Sequence, residues 1–376
     1  MDKNPHIAAL NQVGQSVWYD NLSRDVLHSG ELASLIAAGV SGLTSNPSIF
    51  KKAIADTGSY DEDIRTLARK SATTEELCEE LMLKDVAAAA DLLRPIYDRS
   101  DGADGYASVE VSPFLAHDSE NTIVAARRIW EKLSRPNIMI KIPATPECLG
   151  AIRACLSAGI NVNITLIFST EMYSKVATAY IEAMEERLEA EQALSRISSV
   201  ASFFVSRVDT ICEKTLAVLV KEGKVPQSAH MTFDGRLGIA NSKLAYAEFG
   251  RLFGSESFTR LAAKGARVQR PLWASTSTKN PALSPLLYIE ELAGKDTVNT
   301  LPPATLKTLM NGATIEPRLH SGLSDAQRIV SGIGELGVPF ERLLVELRSE
   351  GVQLFSVAYQ ELLSSIDRKK GSISPA

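Results

Sequence analysis

Cysteine is scarce in this chain: Cys78, Cys148, Cys155 and Cys212 are the only four among 376 residues. No two form a C-x-x-C pair, and no histidine stands at ligand spacing beside them, so a zinc site and a disulfide framework are both disfavoured. Cys148 and Cys155 lie seven apart on an expected helix, and the simplest role for all four is that of small buried hydrophobes. Positive charge is not in excess either. Lys and Arg number 40 against 45 Asp and Glu, a net charge of −5. They are spread along the chain, which removes the basic field that a nucleic-acid partner would need. No apolar run approaches the roughly 18 residues of a membrane span, and the opening MDKNPHIAAL lacks a signal-peptide core. A cytoplasmic protein without a membrane partner is expected. His6, His28, His117, His230 and His320 are scattered. With no H-x-H pair and no carboxylate cluster at ligand spacing, no metal is expected. No G-x-G-x-x-G follows a strand-like run, so the dinucleotide fold loses its main signal.

What is present fits a globular α/β protein. Hydrophobic content is 45% and charged content 23%, near the average for folded domains. Short strand-like runs alternate with amphipathic stretches. The runs are Ser16–Asp20, Gly42–Ser45, Ala107–Val111, Ile138–Ala144, Asn161–Phe168, Ser199–Val205, Val268–Ser275 and Asn299–Leu301. Helical patterns cover Asn121–Leu133, Thr145–Ala158, Glu171–Leu188 and Arg207–Val220. Eight such units predict a parallel sheet closed into a (β/α)8 TIM barrel with additional helices. The segment Lys51–Asp104 reads as an elaborated second unit with a Glu-rich helix around Glu75–Leu93. Glu75, Glu76, Glu79 and Glu80 read there as a solvated face. One domain is expected, with the barrel at about 14–312, a helical extension at about 313–366 across one end, and a frayed tail at 367–376. No internal repeat or low-complexity tract is evident.

Alternate side chains of a barrel strand point inward. In the third strand Val109 and Val111 suit the helices, so Ser108, Glu110 and Ser112 face the interior. In the fourth, Ile138, Ile140 and Ile142 face the helices, and Met139, Lys141 and Pro143 face in. In the fifth, Ile164 and Leu166 face out while Asn163 and Thr165 face in. Ser202 and Phe204 share the inward parity of the sixth strand, and Asp20 closes the first. Barrel interiors are usually branched and apolar. Polar groups converging near one end argue for a site, because each costs free energy unless partnered.

Lys141 is the pivot. Two explanations stand side by side: a buried ion pair with Glu110 or Asp20, or an amine that captures a carbonyl as an imine. The second needs an uncharged amine, which desolvation favours and close carboxylates oppose. It therefore predicts carboxylates held off the amine at a distance suited to proton relay.

Several blocks resemble the transaldolases, in particular their longer bacterial subfamily. They are WYDNLSR (Trp18–Arg24), GLTSNPSIF (Gly42–Phe50), VEVSP (Val109–Pro113), IMIKIPAT (Ile138–Thr145), NITLIFS (Asn163–Ser169), SFFVSRVD (Ser202–Asp209) and WASTSTKNP (Trp273–Pro281). They occur in the family's order across residues 18–281. The resemblance implies a Schiff base on Lys141 and acid/base work by Asp20 on the C4 hydroxyl. It implies a proton relay through Glu110, Thr165 and a water. Asn46 and Asn163 would hydrogen-bond the donor's hydroxyls, and Ser202 and Phe204 would line its pocket. Arg207 would bind the acceptor phosphate. By residue type alone, Arg207 equally suits a solvated helix charge paired with Asp209 or Glu213. Shorter transaldolases carry an Arg soon after the A-S that ends the seventh strand. This chain has Ser277 there and then Lys279, so Ser275 and Lys279 are expected to share the phosphate with Arg207.

The implied reaction passes dihydroxyacetone from sedoheptulose 7-phosphate to glyceraldehyde 3-phosphate, giving erythrose 4-phosphate and fructose 6-phosphate in the non-oxidative pentose phosphate pathway. No cofactor is implied. A fructose 6-phosphate aldolase-like enzyme is the alternative. A non-catalytic barrel scaffold is disfavoured by the intact Lys141, Asp20 and Glu110. Sugar phosphates are the expected partners, and the assembly is expected to be a monomer or a homodimer.

Overall fold

A computed structural model describes residues 3–69, 73–226, 228 and 232–373. Eight parallel strands close into one barrel in sequence order. They are β1 Gln15–Asp20, β2 Gly42–Thr44, β3 Tyr106–Glu110, β4 Ile138–Pro143, β5 Val162–Ile167, β6 Ser199–Phe204, β7 Arg270–Ala274 and β8 Thr297–Leu301. β8 pairs back to β1 with Trp18 opposite Thr300. The expected (β/α)8 barrel is therefore observed, with each strand end within two residues of its expected bound. The expected helix at Thr145 begins only at Leu149. The Thr145 hydroxyl accepts from the Cys148 N–H at 3.3 Å, and that local bond competes with the first helical turn.

The alternation of side chains holds on β1, β3, β4 and β6. Ile138, Ile140 and Ile142 pack in the outer core against the helices, and Val109 does the same from β3. Met139, Tyr106, Val200, Leu272 and Val298 join Trp18 in an inner apolar cluster. That cluster plugs the barrel beneath the polar layer. Gly42 stands opposite Trp18 in the β1–β2 register. A Cβ at Gly42 would lie 2.5 Å from the Trp18 ring, so the absence of a side chain there lets the indole cross the barrel.

β5 breaks the rule. Its register with β6 shifts between Ile164 and Ile167, and Leu166 has a φ of +61°. A bulge re-aims the following side chains. Leu166 consequently leaves the helix-facing side expected of it, joins the inner cluster, and meets the C-terminal helix at Gly351.

The second βα unit is elaborated as expected, with helices Pro47–Asp56, Asp61–Leu67 and Thr74–Arg99 before β3. The Glu run is only partly a solvated face. Glu79 takes both guanidinium arms of Arg128, and Glu80 pairs with Lys132, tying this insertion to helix Ser119–Leu133. After β8 come helices Pro303–Asn311, Leu323–Glu335 and the 34-residue Phe340–Ile373. The last replaces the frayed tail expected from residue 367. Lys369 pairs with Asp61 at 2.9 Å and also donates to the Thr57 carbonyl. These bonds hold the final turns against the second unit.

All four cysteines are buried and free. No helix among the described residues is long and apolar enough to cross a membrane.

Candidate active site

The polar layer sits at the C-terminal ends of the strands, the end where barrel enzymes place their chemistry. Asp20, Asn46, Lys141, Thr165, Ser202, Phe204, Arg207, Ser275 and Lys279 all line one cavity of about 220 Å³. Thr44, Ala274, Ser277, Thr300, Pro302 and Phe355 complete its wall. A wider opening of about 490 Å³ shares Asp20, Asn46 and Pro302. Glu110 and Asn163 stand one layer behind the lining.

Lys141 projects from β4 into this space and is buried. Its Nζ donates to the Ser45 carbonyl at 3.2 Å. The nearest carboxylate oxygen, Glu110 Oε2, is 4.0 Å away, beyond direct hydrogen-bond contact. The two-oxygen clasp that would define a structural ion pair is absent here. Burial pushes the Glu110 carboxyl up to about 7, with the Lys141 charge pulling it down and Asp20 pushing it up. Burial also raises Asp20 above the usual carboxylate range, against the Lys141 charge and a hydrogen bond from Thr44. Two carboxyls whose protonated forms are favoured by burial, set beside an amine, are suited to taking up and returning protons. Glu110 Oε2 and Thr165 Oγ1 are buried and have no protein hydrogen-bond partner.

Asp20 is positioned by hydroxyls. Thr44 Oγ1 donates to its Oδ1 at 2.7 Å, and Thr44 and Thr300 hydroxyls meet at 2.7 Å. β2 and β8 thereby brace the carboxylate of β1. The S-N-P turn after β2 supplies three functions in a row. Ser45 gives its carbonyl to Lys141. Asn46 accepts from the Ile49 N–H at 3.1 Å and caps helix Pro47–Asp56. Pro47 takes the first helical position, where a missing N–H costs nothing. Because the Asn46 oxygen is spent on the cap, its amide N–H groups are what it can offer a ligand. Asn163 is more deeply engaged: it donates to Ser108 at 3.0 Å and accepts from Ser202 at 2.7 Å.

Arg207 is in the first turn of helix Ser206–Lys221. Its guanidinium lies over the Phe204 ring at 5.4 Å, and it forms no ion pair among the described residues. Desolvation lowers its pKa, opposed by the charge of Glu350. Asp209 is not its partner. That carboxyl accepts from the Gly238 N–H at 3.0 Å and from the Tyr288 hydroxyl at 2.8 Å. A half-buried guanidinium that faces a cavity and forms no ion pair among the described residues is suited to meeting an anion. Ser275 and Lys279 face the same space, and Lys279 Nζ donates to Ser277 at 3.1 Å. Ser275 has a φ of +57°, a left-handed conformation that non-glycine residues adopt uncommonly.

Thr44, Thr300 and Phe355 escape sequence reasoning. Thr44 and Thr300 share the inward parity of β2 and β8, a signal too weak in such short runs. Phe355 gives no signal, since it comes from outside the eight βα units.

The remaining motif residues do other work. Arg24 is buried and pairs with Asp85 and Asp63, anchoring the second-unit helices. His117 is an exposed partner of Glu147, His6 accepts from the Ala313 N–H, and His320 packs edge-on against Tyr246. His230 lies outside the described residues. Among the described residues no group of three potential ligands could hold a metal.

A family model described as Transaldolase/Fructose-6-phosphate aldolase matches residues 17–366. The chain is 43% identical to a transaldolase of Mycolicibacterium smegmatis, over all of both chains. It is 44% identical to a transaldolase of Mycolicibacterium paratuberculosis over 99% of each. Against transaldolase 2 of Nostoc punctiforme, identity is 42% over 98% of this chain and 99% of the relative.

Proposed function

The chain belongs to the transaldolase/fructose-6-phosphate aldolase family and is an enzyme of that family; from this premise we propose how its residues divide the work. The reaction is transfer of a dihydroxyacetone unit from sedoheptulose 7-phosphate to glyceraldehyde 3-phosphate, yielding erythrose 4-phosphate and fructose 6-phosphate. It serves the non-oxidative pentose phosphate pathway.

Lys141 is the nucleophile. Its uncharged amine adds to C2 of the ketose, and loss of water from the carbinolamine gives the protonated imine. Glu110 and Thr165 handle the protons of that step. Asp20 takes the proton of the C4 hydroxyl as the C3–C4 bond breaks. The bond's electron pair moves into the imine, the four-carbon aldehyde leaves, and an enamine remains on Lys141. Glyceraldehyde 3-phosphate then accepts the enamine carbon, Asp20 returns a proton to the new hydroxyl, and water releases fructose 6-phosphate. Asn46, Asn163 and Ser202 hold the three-carbon unit's hydroxyls beside Phe204. Arg207, Ser275 and Lys279 hold the phosphate, where a guanidinium and a helix N-terminus both favour an anion.

One observation carries this reading: the Lys141 nitrogen faces a polar cavity with its nearest carboxylate oxygen no closer than 4.0 Å. Borohydride reduction in the presence of fructose 6-phosphate, followed by peptide mapping, tests it. A three- or six-carbon adduct on the Lys141 peptide is expected; an adduct on another lysine, or none, overturns it.

The net charge of −5 and the lack of any helix fit to cross a membrane among the described residues support our placing the enzyme in the cytoplasm. We take it to be one domain acting as a monomer or homodimer, without nucleic-acid or membrane partners.

A further inference from the structure

Every residue lining the catalytic cavity but one comes from a barrel strand, from the segment that follows it or, for Arg207, from the first turn of the next helix. The exception is Phe355, in the middle of the C-terminal helix Phe340–Ile373. Its ring centre stands 5.4 Å from Lys141 Nζ. The helix that carries it crosses the open mouth of the barrel and is fixed on both sides. On one side Phe340, Leu343, Leu344 and Leu347 pack into the cluster that includes Val208 and Leu216 of helix Ser206–Lys221. On the other, Lys51 pairs with Glu361 and Lys369 with Asp61. Between these anchors Gly351 rests on Leu166, where an added Cβ would lie 2.8 Å from Leu166 Cδ2. The bulge at Leu166 and the missing side chain at Gly351 together lower the helix onto the strand that bears Thr165. Phe355, one turn further along, is thereby set over the amine.

The cavity has two large apolar rings, Phe204 and Phe355, with Ala274 and Pro302 among its other apolar lining, and it is Phe355 that lies over the Lys141 nitrogen, where it does no hydrogen-bonding work. Its bulk occupies space beside the nitrogen that water would otherwise fill. We propose that Phe355 is a specificity-determining residue: it shields the enamine held on Lys141 so that its carbon attacks an aldehyde rather than taking a proton from water. This rests on the Lys141 reading above. The step it suppresses is balanced. The enamine C3 gains a proton, giving the protonated imine of dihydroxyacetone. Water then adds at C2, the C2–N bond breaks, and free dihydroxyacetone leaves with the amine restored. That is aldol cleavage without transfer.

The test compares wild type with Phe355→Ala and Phe355→Leu, using fructose 6-phosphate as donor and erythrose 4-phosphate as acceptor. Free dihydroxyacetone and sedoheptulose 7-phosphate are measured together. The ratio of release to transfer should rise about tenfold or more in the alanine variant, and less in the leucine variant, which keeps most of the apolar cover. A structural role alone would lower both rates together and leave the ratio unchanged. Borohydride trapping on the same samples separates the two claims. A Lys141 adduct with an unchanged ratio in both variants overturns the shielding role and leaves the nucleophile in place. No Lys141 adduct in the wild type overturns both. If the alanine variant does not fold, the leucine variant decides: a ratio equal to wild type overturns the proposal.

Discussion

The barrel interior carries two polar layers, and they are opposites. At the N-terminal end, Asp104 accepts from the Ser16 hydroxyl, the Trp18 indole N–H at 2.8 Å, the Ser41 hydroxyl at 2.8 Å and the Gly105 N–H at 3.0 Å. Arg270 adds its charge at 3.7 Å and a bond to Ser16 at 2.8 Å. Both oxygens of Asp104 are thus engaged. At the C-terminal end, Lys141 and Glu110 are held 4.0 Å apart, Thr165 has no protein partner, and Arg207 has no ion pair among the described residues. Polarity inside a barrel is therefore not what marks a site. A satisfied network stabilises, and groups kept from satisfying one another remain able to react.

Exchanging the roles of the two ends by mutation would break this contrast. The largest expected effect is at the top. Lys141→Ala should reduce turnover to background while leaving the melting temperature at or above that of the wild type; normal activity in a clean preparation would remove the mechanism. Asp20→Asn should cost about 10²- to 10⁴-fold in kcat, the range for a lost general acid/base, checked by steady-state kinetics. At the bottom, Asp104→Ala strands several buried donors and should cost ~3 kcal/mol of stability in urea titration. Its turnover per folded molecule should stay within about twofold of wild type. A larger kinetic loss would mean the lower layer is not merely structural.

Smaller effects sharpen the picture. Arg207→Ala should raise KM for the phosphorylated acceptor about 10- to 100-fold, the worth of a charged hydrogen bond. Unphosphorylated glyceraldehyde should barely notice the change. The last effect concerns Glu110, whose folded pKa of about 7 lies above its ordinary 4.5. The folded state therefore holds this proton more tightly than the unfolded chain does. The corresponding stability is intact below about 4.5 and is lost as pH rises through about 7. Glu110→Gln removes that dependence. Its stability relative to wild type should rise between pH 5 and pH 8, by on the order of 1 kcal/mol since Lys141 loses a counter-charge at the same time. Parallel pH–stability curves for the two proteins would refute the raised carboxyl.

The two layers also differ in how much of them a linear sequence discloses. Ser108, Glu110, Lys141, Asn163, Thr165 and Ser202 are legible as inward residues, because the neighbouring valines and isoleucines fix the parity of their strands. Asp104 is not, because it precedes β3 in a turn and acts on residues from β1 and β7 and on Ser41, just before β2. Leu166 defeats parity because a bulge resets the alternation. Thr44 and Thr300 meet only because β1 lies between their strands once the barrel is closed.

By itself, then, the sequence determined the barrel, the inward face of its strands outside the β5 bulge and the placement of Lys141 inside it. Those follow from period-two alternation and motif order, which are local properties of the chain. Tertiary structure decided how far Lys141 stands from Glu110, which carboxyl Arg207 does without, and that an aromatic ring arrives from the last helix to cover the amine. Such separations span the barrel and depend on closure, register and the path of distant helices. Reactivity follows those separations and the burial that accompanies them.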